Sequence, residues 1–323
     1  MFKARTRRRR IRRVSPKRAF SALIGLIALA VYLVLSPPEE NATTVECPQS
    51  QYAPSQRLRV CSWNVHNYNV SNRRVNGVWR AYPKPESERD AVCAALKAID
   101  ADVVLLQEMG DKTYLEDLLA RLRKAGVNYA FAAVSKFDSP SRLAILSKIS
   151  PQKVFDFSDT AFFFDGQNRY SPRGALGVEI RAANLQLFAF SVHLKSKVNA
   201  KKSDENFTPF RHAELRAISA RIRSSAKKDS KILVAGDFND EPAKPLLRNA
   251  KAFALVEQAD SRGLAYTYHW AKRDLFYRYD FFLAANLRPP EISKAFVVSG
   301  TQNASDHRPI YVDIKLGDTP RGN

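Results

Sequence analysis

From Leu58 onward, short apolar runs alternate with longer segments whose apolar positions recur every three or four residues. An apolar run bounded by polar or turn residues reads as a strand, and the three-to-four spacing as a helix with one buried face. The pattern predicts strands over 58–65 (LRVCSWNV), 102–108 (DVVLLQE), 142–148 (RLAILSK), 278–285 (YRYDFFLA) and 309–316 (PIYVDIKL). Runs over 174–182 and 185–194 form an expected antiparallel pair, and KILVAGDFNDEP (231–242) begins as a further strand. Helices are expected over 86–100, with Val92, Leu96 and Ile99 on one face, over 114–126, ended by Gly126, and over 210–226, with Leu215, Ile218 and Ile222 inward. Strands interleaved with helices, without an internal repeat, imply two or more sheets covered by helices.

The first 57 residues follow another pattern. Residues 1–18 carry ten Lys or Arg and no acid, and Ala19 to Leu35 run apolar without a charge. Seventeen helical residues rise about 25 Å, at the short end of what a bilayer core of about 30 Å requires. Residues 19–35 therefore read as a transmembrane signal anchor or a signal peptide, with 1–18 as its basic cytoplasmic flank. No pair of small residues suited to cleavage follows at Ser36–Glu40, which favours the anchor; cleavage would make the protein secreted. Either way, residues 36 onward lie outside the cytoplasm, in periplasm or extracellular space. Residues 36–56, with four prolines, read as a linker, 57–316 as one domain and 317–323 as a tail.

Composition adds a sign of charge. Residues 1–46 hold ten basic and three acidic residues, so of the chain's 52 and 32 there remain 42 and 29, a net +13 in the domain itself. That favours a polyanionic partner, nucleic acid or an anionic membrane surface. Cys47, Cys61 and Cys93 would all lie on the oxidising side, which permits one disulfide and leaves one thiol; Cys61, inside an apolar run, is expected in the core. None has metal-ligand spacing.

The candidate chemistry shares one placement. Asn64 with His66, Glu108, His193, Asp237 with Asn239, and Asp306 with His307 each stand at or just after the end of an expected strand, and Asp280 stands inside another. Strand ends at one edge of a layered fold converge on a cleft. Carboxylates and an amide suit a hard cation such as Mg²⁺, and imidazoles suit a phosphate or a proton. Each cluster taken alone reads more simply as a turn or a helix cap. Asp240 and Glu241, ahead of Pro242, keep that simpler reading as helix-capping acids. His66, His212 and His269 read singly as structural or surface histidines. Asp280, between aromatic residues, would be buried and needs a partner, which His307 could provide.

The ordered set SWNV, LLQE, AILSK, SVHLKSK, GDFN, YDFFL and SDHRP resembles the endonuclease/exonuclease/phosphatase superfamily, the DNase I-like group, across about residues 57–316. The resemblance implies an α+β fold, a four-layer αββα sandwich, and a divalent-metal phosphoesterase using Mg²⁺ or Mn²⁺, with Ca²⁺ a further candidate ion. It implies Glu108 as main metal ligand with Asn64 and Asp306. It implies Asp237 to activate water or protonate the leaving oxygen, Asn239 to align the phosphate, His307 with Asp280 to stabilise the transition state, and His193 to contact the scissile phosphate. His66 stands where exonuclease III-type repair enzymes carry an acid, and His193 where they carry Tyr, which points to the DNase I and secreted-nuclease branch.

Residues 193–231 hold eleven Lys or Arg against four acids. Lys195 and Lys197, with Lys201 and Lys202, are placed to hold a phosphate backbone beside the cleft. Nucleic acid, DNA or RNA, is therefore the expected substrate. The alternatives are phospholipid headgroups, for which TAFFFDG (160–166) is the one candidate docking loop, and a non-catalytic binding module. The sequence points to no protein partner, and a monomer is expected.

Overall fold

The structure, a computed structural model, describes residues 42–48, 52, 56–136, 139–197 and 207–317. The expected basic flank, apolar helix and 317–323 tail beyond Gly317, together with Lys201 and Lys202, lie outside the described residues. Among the described residues no helix is long and apolar enough to cross a membrane.

In chain order the strands are β1 (Thr43–Val45), β2 (Arg57–Tyr68), β3 (Val70–Val75), β4 (Val78–Pro83), β5 (Val103–Met109), β6 (Phe131–Val134), β7 (Arg142–Ser147), β8 (Lys153–Asp156), β9 (Ala161–Phe164) and β10 (Gln167–Tyr170). They continue with β11 (Ala175–Ala182), β12 (Leu185–His193), β13 (Lys231–Asp237), β14 (Ala254–Val256), β15 (Tyr268–Trp270), β16 (Leu275–Tyr277), β17 (Asp280–Ala285), β18 (Ile292–Val297) and β19 (Ile310–Lys315). The helices are α1 (Glu86–Ile99), α2 (Lys112–Lys124), α3 (Thr208–Ser224) and the single turn α4 (Lys244–Leu247).

One sheet has the order β1-β6-β7-β5-β2-β19-β18 and the other β14-β17-β13-β12-β11-β8. Alternation along each strand divides its side chains between two cores. On β12, Leu185, Leu187 and Ala189 enter the core between the sheets, whereas Phe188, Phe190 and Val192 enter an outer core with Leu215, Ile218 and Ile222 of α3. On β2, Leu58 and Val60 face the inter-sheet core; Cys61, Trp63 and Val65 meet Val92, Leu96 and Ile99 of α1 and Leu115, Leu118 and Leu122 of α2. Three cores between four layers give the expected αββα sandwich.

Two local expectations change. Thr43–Val45, inside the stretch read as linker, pairs antiparallel with Val134–Ala132 as an edge strand, so ordered structure begins before residue 57. Its β-branched residues satisfy an otherwise open sheet edge, which composition alone did not reveal. Asp240 and Glu241 cap no helix: α4 starts after Ala243 without a side-chain cap. Asp240 accepts instead from the fully buried Arg211, at 3.0 Å, and Glu241 from the backbone N–H of Arg278. All three cysteines are free thiols, and Cys61 is buried as expected.

Candidate active site

The strand register sets three acidic and imidazole groups in a row. His193 ends β12 opposite Asp237, which ends β13, and Asp237 lies opposite Asp280, the first residue of β17. Gly236 allows this close pairing: its φ is +152°, and a Cβ there would lie 1.9 Å from the Val192 carbonyl oxygen. From the facing sheet β2 and β5 run in parallel, with Asn64 opposite Gln107 and Glu108 one residue further.

Across the cleft the groups join. Asn64 Nδ2 donates to Glu108 Oε1 (3.1 Å) and to Asp237 Oδ2 (3.0 Å), and the Asn67 N–H donates to Glu108 Oε2 (2.8 Å). His307 donates through Nδ1 to Asp280 Oδ2 at 2.7 Å, and its Nε2 lies 3.7 Å from Asp237 Oδ2. His193 Nε2 lies 3.4 Å from the same oxygen. The Asn239 N–H donates to Asp237 Oδ1 (2.8 Å), while Asn239 Nδ2 donates to the Leu194 carbonyl (3.1 Å). Asp306, partly exposed, sits 3.5 Å from His66 Nδ1. Four non-glycine residues here, His66, Asn67, Glu108 and Asn239, have φ between +48° and +60°. Such backbone persists only where surrounding structure over-determines it, and it concentrates at functional sites.

Burial pushes the Asp237 carboxyl up to about 7, reinforced by the charges of Asp280 and Glu108 and opposed by His307. Burial alone would lower His307, but Asp280, Asp237 and Asp306 hold its imidazolium well above the ordinary histidine value. His193 goes the other way: burial, with Arg173, His307 and Lys195 nearby, keeps it neutral. The site thus pairs a proton-holding imidazole with a carboxyl poised near neutrality.

The oxygen donors fit a hard cation. The carboxylate-rich cluster carries mutual repulsion that a cation would relieve; Glu108 and Asp306 offer carboxylate oxygens, and Asn64 an amide oxygen that here accepts from the His66 N–H (3.0 Å). Asp237, Asp280 and His307 also bring ligand atoms within 4.8 Å of one another. Their imidazolium–carboxylate bond engages Nδ1 and Oδ2 and leaves His307 Nε2 and the unpartnered Asp280 Oδ1, so the described residues offer two candidate cradles, this one and the Glu108 side.

The basic residues divide. Lys197 Nζ donates to Tyr279 Oη (3.1 Å) and lies over that ring, beside the row. Lys195 turns to the Phe207 ring. On α3, Arg211 and Glu214 are buried, not solvated. Phe162 and Phe164 pack on Phe210, leaving Phe163 71% exposed on the β9–β10 hairpin.

Several contributors escaped the sequence reading. Gln107 Nε2 donates to Ser62 Oγ (3.1 Å) and, across the sheets, to Ser191 Oγ (2.9 Å), pinning the strand that carries Glu108. Ser305 Oγ donates to the Asn64 carbonyl (2.8 Å) and accepts from the His307 N–H (3.0 Å). Thr267 Oγ1 accepts from the Asp280 N–H (2.9 Å), and Tyr268 packs its ring 4.7 Å from His307. Only the buried amide in LLQE carried a signal; the others depend on long-range contacts. His66, read singly as structural, faces Asp306.

This fold and site are those of a phosphoesterase. The model of the Endonuclease/Exonuclease/phosphatase family matches residues 61–307, and the chain belongs to that family. A comparison with curated proteins finds no match. Among solved structures, beta toxin from Staphylococcus aureus, in a doubly substituted form with bound magnesium ions, is similar at 17% identity and TM-score 0.59, covering 79% of this chain and 99% of that chain. Sphingomyelinase C from Streptomyces griseocarneus is similar at 18% identity and TM-score 0.58, covering 80% and 99%. A truncated TDP2 from Caenorhabditis elegans is similar at 16% identity and TM-score 0.54, covering 80% and 98%. Identities this low establish the shared fold.

Proposed function

We propose that the protein is a divalent-metal-dependent phosphodiesterase that cleaves nucleic acid, acting outside the cytoplasm as a monomer and tethered or released by its amino-terminal segment. The observation that carries the chemistry is the His193–Asp237–Asp280–His307 arrangement facing Glu108 and Asn64. A Mg²⁺ or Mn²⁺ ion held by Glu108, Asn64 and Asp306 would neutralise charge on the phosphoryl oxygens. The protonated His307, its Nδ1–H fixed on Asp280, presents Nε2–H to a phosphate oxygen as charge grows in the transition state. Asp237 accepts the proton of the attacking water, or returns one to the leaving oxygen, which its near-neutral pKa suits. The neutral His193 and the Asn239 amide orient the phosphate, and no covalent enzyme intermediate is needed. Stacked tyrosines beside the row favour nucleic acid: Tyr268, Tyr277 and Tyr279 have centroids 4.9–6.3 Å apart, and Lys197 lies over Tyr279. Interleaved aromatics and cations hold bases and backbone together.

A phospholipid headgroup is the second reading. The β3–β4 hairpin exposes Trp79 by 66%, with Val78 and Tyr82, a surface suited to a bilayer interface. Purified protein assayed with Mg²⁺ or Mn²⁺ on plasmid DNA, RNA and sphingomyelin vesicles separates the two. Cleavage of DNA or RNA, abolished in Glu108→Ala and His307→Ala, is expected. Cleavage of sphingomyelin alone refutes the nuclease reading.

A further inference from the structure

Beside the catalytic row lies a cavity of about 520 Å³, whose lining includes His66, Arg73, Tyr266, His269, Phe276 and Asn303. Asp306 also opens onto it, so it adjoins the expected metal ligands. One wall is aromatic and exposed: the His269 and Phe276 rings stack at 4.3 Å and 4°, and Tyr266 meets Phe276 edge-on at 4.8 Å. Phe276 is 50% exposed despite these two ring contacts.

These walls are held in place. His269 Nε2 is 2.9 Å from Asp274, and the His269 N–H donates to the Asp306 carbonyl (3.1 Å), tying the β15–β16 hairpin to the catalytic loop. Tyr266 lies under the Arg308 guanidinium, 4.4 Å from its ring; Arg308 donates to the Tyr266 carbonyl (3.0 Å) and is itself fixed on Asp260 (2.7 Å). The lining also holds the exposed amides of Gln302 and Asn303, each offering a donor and an acceptor. Charges of both signs share the lining, Arg73 against Glu88 and Asp306.

We infer that this cavity takes one unpaired nucleobase of the substrate strand, next to the scissile phosphate, so that the enzyme prefers single-stranded nucleic acid. The inference rests on the nuclease reading. A flat aromatic stack sharing its cavity with exposed amides matches a base, whose ring stacks while its edge hydrogen-bonds. A base paired within a duplex cannot enter. A quaternary ammonium headgroup also favours aromatic walls, and Glu88 and Asp306 in the same lining offset Arg73, so competition between AMP and phosphocholine decides between the two.

The test uses the full chain, Phe276→Ala and Asn303→Ala, with three substrates: a single-stranded oligonucleotide, its duplex, and methyl p-nitrophenyl phosphate, which carries no base. Wild type is expected to prefer the single strand. In Phe276→Ala its KM should rise about tenfold or more, the order of one lost base stack, with methyl p-nitrophenyl phosphate turnover unchanged. AMP should compete with the oligonucleotide better than phosphocholine does, and lose that advantage in Phe276→Ala. Both positions are exposed, so thermal stability should hold. If both variants cleave the single strand with wild-type KM, or phosphocholine competes as well as AMP, the pocket assignment is overturned while nuclease activity stands. If wild type turns over methyl p-nitrophenyl phosphate but no nucleic acid, the nuclease reading fails and the pocket falls with it.

Discussion

Replacing Asp280 by Asn tests the electrostatic core of the mechanism with almost no change of shape. The Asp280 carboxylate lies 2.7 Å from His307 Nδ1, and the two side chains are 1% and 7% exposed. At an effective dielectric of about 20, two unit charges at that separation attract by about 6 kcal/mol. Burial opposes this, so the net hold on the His307 proton is smaller, yet its pKa stays well above the ordinary histidine value. The amide cannot replace the charge, and it can turn an N–H toward Nδ1 and so favour the wrong tautomer. Without its imidazolium, His307 no longer stabilises the developing phosphoryl charge. Removing a group of this kind costs about 10²–10³ in kcat, and spoiling the tautomer of a catalytic histidine about 10⁴. The expected result for Asp280→Asn is a kcat about 10³-fold lower on methyl p-nitrophenyl phosphate, with the alkaline limb of its pH profile moved to lower pH. That substrate avoids any contribution from base binding. A kcat within tenfold of wild type, or an unmoved alkaline limb, would refute the dyad as the source of transition-state stabilisation.

Gly236→Ala should destabilise by about 3 kcal/mol or more, from positive-φ strain plus overlap with the Val192 backbone; a urea midpoint within error of wild type would contradict the close strand approach. Gln107→Leu should cost about 1–3 kcal/mol, because it removes the donor shared by the buried Ser62 and Ser191 hydroxyls, and should also lower kcat through Glu108. Stability lost with kcat intact would make Gln107 a stitch between sheets and nothing more. Folding keeps His193 neutral, so the unfolded chain alone takes up its proton: this contribution is present above about pH 6.5 and lost as pH falls below it. In chelator, wild type should therefore lose stability relative to His193→Asn by about 1.4 kcal/mol per pH unit below about 6.5. A pH-independent difference between the two would show that His193 titrates normally in the folded state.

The helices and strands were largely legible because each is written in local periodicity. Val92, Leu96 and Ile99 fall on one helix face whatever packs against them, and the alternation of β12 assigns Leu187 and Phe188 to opposite sides. The expected αββα layering, drawn from the ordered motifs, needed no correction. The linker reading failed at Thr43–Val45 because an edge strand of three residues has too little pattern to stand out from its prolines. The capping reading of Asp240 failed because its partner, Arg211, lies on another element. The exposed β3–β4 and β15–β16 hairpins, with Trp79 and Phe276, are invisible as surfaces until the fold shows what leaves them uncovered.

For the site the division is sharper. Local pattern was enough to show which chemical groups were available and that each would stand at a strand end: Asn64, Glu108, His193, Asp237, Asn239, Asp306 and His307, with Asp280 in an apolar run that demanded a partner. It took the assembled sheets to put His193, Asp237 and Asp280 on one register line, to let Asn64 bridge Glu108 to Asp237 between the two sheets, and to set Lys197 beside the row with Lys195 over the Phe207 ring. Periodicity is fixed by neighbours a few residues apart in the chain. Register and sheet order are fixed by which strands meet, and a shift of one residue in β13 would turn Asp237 to the opposite face.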